Sequence, residues 1–114
     1  MTLGQATMFE QIEELLIAPT SGAAAPSLAN LEETLTEGYA KALALEAERW
    51  RLERRLGEVA RNLDGPDVSS FAEELAALAK RLTSADGELS RLRALLYSLH
   101  ERARSMRLAA QTAQ

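Results

Sequence analysis

From Leu75 to Ala110 every position on a three-and-four spacing is apolar: Leu75, Leu78, Leu82, Ala85, Leu89, Leu92, Leu96, Leu99, Ala103, Met106 and Ala110. Such an unbroken seam is stable in water only when it is buried along its length, so it predicts a long helix lying against another helix. Ser70 followed by Glu73 forms a capping box ahead of the seam and places the helix at about 70–110. Gly87, beside Asp86 and after Thr83 and Ser84, makes a locally poor helix former that costs about 1 kcal/mol relative to Ala. The heptad stays in phase across it, so one continuous helix is expected.

A partner for the seam lies earlier in the chain. Leu28, Leu31, Leu35, Gly38, Ala42, Leu45, Arg49, Leu52, Leu56, Val59 and Leu63 keep the same spacing, interrupted only by Gly38 and Arg49, and predict a helix over about 28–63. Ser27 or Asn30 is its candidate cap, and Asn30 with Glu33 approximates a capping box. Asp64-Gly65-Pro66-Asp67 cannot continue a helix and places a turn at 64–69. The fold class expected is therefore all-α, a long antiparallel coiled-coil helical hairpin.

Setting Leu63 opposite Phe71 fixes a register. Val59 then meets Leu75, Leu56 meets Leu78, Leu52 meets Leu82, Arg49 meets Ala85, Leu45 meets Leu89, and Gly38 meets Leu96. The same offset brings Lys41 to Glu88, Glu48 to Arg81, Arg55 to Glu74, Glu46 to Arg93 and Glu32 to Arg107. Exposed ion pairs contribute only about 0.2–1 kcal/mol each, but five of them together select one register over a one-heptad slip, which sets Glu48 against Glu88. Glu53 near Asp86 is the one mismatch, with Arg49 close enough to neutralise it by reaching out of the seam.

Ahead of the hairpin, Met8, Ile12, Leu15 and Leu16 share one side of a short amphipathic helix over about 5–17, with Glu10, Glu13 and Glu14 largely opposite. An Ala/Pro/Ser/Gly stretch at 18–27 reads as a flexible linker. The short helix therefore either packs as a third helix on its own chain or serves a contact between chains. Residues 1–40 hold six glutamates and no Lys or Arg, whereas residues 91–114 hold five arginines and one glutamate. An antiparallel hairpin lays these two segments side by side.

No arrangement of these residues brings an acid and a base to a nucleophile, so no catalytic residue is expected and the chain reads as a non-enzyme. No cofactor loop is present, and without cysteine and with a single histidine, His100, no metal site is expected. A net charge of −4 argues against nucleic acid as a partner, even with Arg102, Arg104 and Arg107 near the C-terminus. The glutamate-rich polar face of the first helix has the wrong sign for anionic lipid, which disfavours a membrane-surface role without removing it as the alternative. The N-terminus lacks a basic region ahead of its apolar residues, and cytoplasm is the default location.

The surfaces left for function are apolar positions off the seam. Tyr39, Leu43, Ala47 and Trp50 form a second stripe on the first long helix, and Leu95 with Tyr97 a smaller patch on the second. With Met8, Ile12, Leu15 and Leu16 these are the candidate contact residues. The layout resembles the small helical-hairpin proteins of the type VII secretion class. That class carries Trp-x-Gly in its turn, whereas here the turn is Asp64-Gly65-Pro66-Asp67 and Trp50 precedes Arg51-Leu52, so no family is assigned. The expected function is interaction or scaffolding by helix-face burial, with a second copy or another helical protein as partner.

Overall fold

The computed structural model describes residues 7–62 and 68–112. They form three helices, α1 (Met8–Ile17), α2 (Leu28–Arg61) and α3 (Val68–Thr112), with α2 and α3 packed tightly against each other. This is the all-α helical hairpin with a short extra helix that the periodicity predicts. Of the turn expected at 64–69, residues 64–67 lie outside the described residues, as does the Leu63 layer, while 68–69 already belong to α3.

The helix boundaries sharpen three expectations. α1 starts at Met8 because Thr7 holds an extended backbone and its hydroxyl accepts a hydrogen bond from the Glu10 N–H at 3.2 Å. Ser27, not Asn30, caps α2: its Oγ accepts from the Asn30 N–H at 3.1 Å. Ser70 does not cap α3, which is already helical at Val68, so the Ser70 to Glu73 pair lies inside the first turns. α3 runs without interruption through Gly87.

The chain divides into two compact units, Met1–Lys41 with Arg91–Gln114, and Ala42–Ser90. In the second unit Leu52, Val59, Leu78 and Ala85 form a buried cluster, with Leu56, Phe71, Leu75 and Leu82 packed against it. These are the residues that the expected layers bring together. Their polar flanks follow the same antiparallel register: Arg55 Nη2 lies 2.7 Å from Glu74 Oε1, and Arg81 Nη2 lies 3.4 Å from Glu48 Oε1. The Glu74 hydrogen bond, and then its charge, raise the pKa of the Arg55 guanidinium above its ordinary value. Arg49 leaves the seam as expected, its guanidinium 3.4 Å from Asp86 and 3.6 Å from Glu53, between the two carboxylates that would otherwise repel.

In the first unit Ile12, Leu31, Leu35, Leu92, Leu96, Leu99 and Ala103 are buried, and Glu32 meets Arg107 at 3.4 Å. α2 and α3 approach closely where Gly38 faces Leu96. A Cβ at Gly38 would overlap Leu96 Cδ2 and lie 3.4 Å from its Cγ, whereas a Cβ at Gly87 meets nothing within 4 Å. The two glycines therefore respond oppositely to alanine. Gly87→Ala is expected to stabilise by about 0.5–1 kcal/mol through helix propensity. Gly38→Ala is expected to lower the melting temperature, because overpacking a filled layer costs about 1–3 kcal/mol and exceeds that gain. Calorimetry of both variants checks the opposite signs; a higher melting temperature for Gly38→Ala would contradict the close approach.

Candidate interaction surfaces

α1 is too short to persist alone, at ten residues against the roughly 12–15 that isolated helices need. It is held within the first unit by one buried side chain and two arginines of α3. Ile12 is 0 % exposed, and Met8, Leu15 and Leu16 are half-buried. Arg91 reaches Glu13 Oε1 at 2.5 Å and stacks its guanidinium 4.4 Å from the centre of the Phe9 ring. Arg102 grips the other end: Nη1 donates to the Leu16 carbonyl at 2.8 Å, and Nη2 donates to the Ala18 carbonyl and to the Pro19 carbonyl at 3.1 Å.

The last carbonyls of any helix lack partners within it and carry the negative end of its dipole. α1 has no basic residue in its last turn. Arg102 supplies that cation from another helix, so one side chain both caps α1 and ties it down. The backbone leaves this clamp through a turn in which the Ala25 N–H bonds the Gly22 carbonyl at 3.2 Å, with Gly22 at φ 89°.

The residues singled out from the sequence therefore separate. The apolar side of α1 faces its own chain, and Ile12 has no surface left to offer a partner. Tyr39 in the first unit is exposed, as is Tyr97, while Leu95 is half-buried. In the second unit Leu43 is 66 % and Trp50 57 % exposed, Ala47 is exposed between them, and Arg54 lies 4.7 Å over the Trp50 ring. His100 is solvent-exposed and well inside α3, several turns short of the carbonyls at its end. Ile17, not singled out from the sequence, is also exposed at the end of α1. Phe9, Arg91 and Arg102 have structural parts that the heptad pattern does not disclose.

No described helix is long and apolar enough to cross a membrane. No protein-family model, curated protein or solved structure matches the chain. The all-α hairpin with its docked third helix defines the class of fold, and function has to be read from its surfaces.

Proposed function

We propose that the chain is a non-enzymatic helical scaffold or adaptor that works by burying a helix face, with the Leu43, Ala47 and Trp50 face of α2 as its contact surface. The observation that carries this reading is that Trp50, the one tryptophan, and Leu43 stand more than half exposed on a helix whose opposite side is already buried. Large aromatic side chains left on a surface supply contact area at low conformational cost and anchor many interfaces. The Arg54 guanidinium lies over the ring, 4.7 Å from its centre, a cation–π contact that favours this placement of the indole.

A second copy of the chain and another helical protein are the two partners this face fits. For self-association, light scattering across a concentration series is expected to show a mass increase accompanied by a blue shift of Trp50 emission. Trp50→Ser, which removes the fluorophore and is therefore read by light scattering alone, is expected to abolish the mass increase while shifting stability by less than about 0.5 kcal/mol, as exposed positions do. A wild-type chain that stays monomeric with solvent-exposed emission throughout refutes self-association and leaves the helical partner.

A further inference from the structure

The outward face of α2 in the second unit changes character along its length. Leu43, Ala47 and Trp50 give way, at steps of three and four residues, to Arg54, Gly57 and Arg61, so apolar and cationic groups share one stripe. Leu52 and Val59 are buried on the opposite side. Arg54 lies over the Trp50 ring, and the Arg61 guanidinium turns back along the helix, where a Cβ at Gly57 would sit 3.8 Å from Nη1. Both charges therefore stand on the stripe itself. Arg51, Arg54 and Arg55, with Glu58, also line a hollow of about 170 Å3 on this part of α2.

The carboxylates of this segment are engaged, whereas two of its guanidiniums are not. Glu48 is met by Arg51 at 3.6 Å and by Arg81 at 3.4 Å, Glu53 by Arg49 at 3.6 Å, and Glu58 by Arg55 at 3.4 Å. Glu46 has a partner as well. Arg54 and Arg61 meet no carboxylate among the described residues. In a chain of net charge −4, uncompensated positive charge is thus left at one end of an exposed apolar stripe. Arg and Trp side by side are the residue types that most often anchor contacts between proteins.

A second helix laid antiparallel on this stripe matches it in shape and in charge. From position 43 to 61 the stripe runs about 27 Å, which a helix of similar length covers at the same rise per residue. The partner's first turns then lie beside Arg54 and Arg61, and its later apolar residues lie over Trp50 and Leu43. Glutamates are favoured in the first turns of any helix by its own dipole, so carboxylates fall where the arginines need them. A second copy of this chain serves the stripe less well. In parallel it sets Arg54 against Arg54, and antiparallel, with Trp50 over Ala47, it sets Arg54 against Leu43.

We propose that this stripe docks an acidic amphipathic helix of another protein, antiparallel to α2, with the carboxylates of its first turns on Arg54 and Arg61 and its apolar side on Leu43, Ala47 and Trp50. The proposal rests on the Trp50 face being a contact surface. The test is a titration of the full chain, isotopically labelled for NMR, with three synthetic peptides of about 18 residues, long enough to hold a helix. They share one leucine stripe and carry glutamate, glutamine or lysine through the first two turns. The saturable shift of the Trp50 indole N–H is expected to give the glutamate peptide about fivefold higher affinity than the glutamine peptide, with the lysine peptide weakest. Attraction to the chain's net negative charge alone ranks them in the reverse order. Arg54→Gln with Arg61→Gln should weaken the glutamate peptide about fivefold and leave the glutamine peptide within about twofold. Lys80→Gln, an exposed charge of α3 in the same unit, should leave both within about twofold. Circular dichroism melting confirms that each variant is folded. Equal binding of the glutamate and glutamine peptides at Trp50, or a glutamate preference that survives the double substitution, overturns the proposal while leaving the face a contact surface. No shift of Trp50 with any peptide overturns both.

Discussion

Ile12→Ala is expected to detach α1 while leaving the long helices folded. Ile12 is completely buried, and truncating such a side chain costs about 2–5 kcal/mol, the lost transfer free energy plus the cavity left behind. α1 has no comparable anchor, since Met8, Leu15 and Leu16 are only half-buried and its remaining ties are polar contacts. A ten-residue helix that loses its anchor loses its helicity as well, so the cost falls on one element. Hydrogen exchange reads this directly. Amides at 8–17 should exchange rapidly in the variant while those of Leu52 and Leu89 keep their protection. Unchanged protection of α1 would show that Ile12 does not carry the docking.

Arg102→Met should act on the same docking from its polar side. The methionine keeps an apolar stem but removes the donors to the Leu16, Ala18 and Pro19 carbonyls. Hydrogen bonds from charged groups contribute about 1.5–3 kcal/mol, and here the cation also meets the negative end of the α1 dipole. The decisive measurement is a double-mutant cycle with Ile12→Ala. Once α1 has come away, Arg102 has nothing left to hold, so the combined loss should fall short of the sum by about 1 kcal/mol or more. Additive losses would mean that Arg102 stabilises α3 for reasons unrelated to α1.

The hairpin is legible in the sequence because repeating patterns encode it. One offset, set by Leu63 and Phe71, places Glu48 at Arg81, Arg55 at Glu74, Glu32 at Arg107 and Gly38 at Leu96, and all four are observed. A period repeated over ten layers leaves little freedom in register. The docking of α1 has no such repetition. Its fixings are single contacts between residues about 80 positions apart, Phe9 and Glu13 with Arg91 and Leu16 with Arg102, and nothing periodic links those positions. Thr34 illustrates the same difficulty. It is a polar residue beside the seam, and its burial follows from its place under α1 rather than from its own helix. The basic run near the C-terminus, read from sequence as a partner to the acidic start, does serve that end, although Arg102 binds backbone carbonyls instead of a carboxylate.

The connection between Ala18 and Ser27 has a kinetic meaning. α1 is attached through these few residues to the helix beside which it rests, so each time it lifts away its return is a unimolecular event. A short tether of this kind holds a segment at an effective concentration of about millimolar. Any free ligand competing for the same seat starts against that local excess, and a partner that displaces α1 must bring contacts the tethered helix lacks. The surface beneath α1 is therefore guarded by proximity as well as by its two arginines.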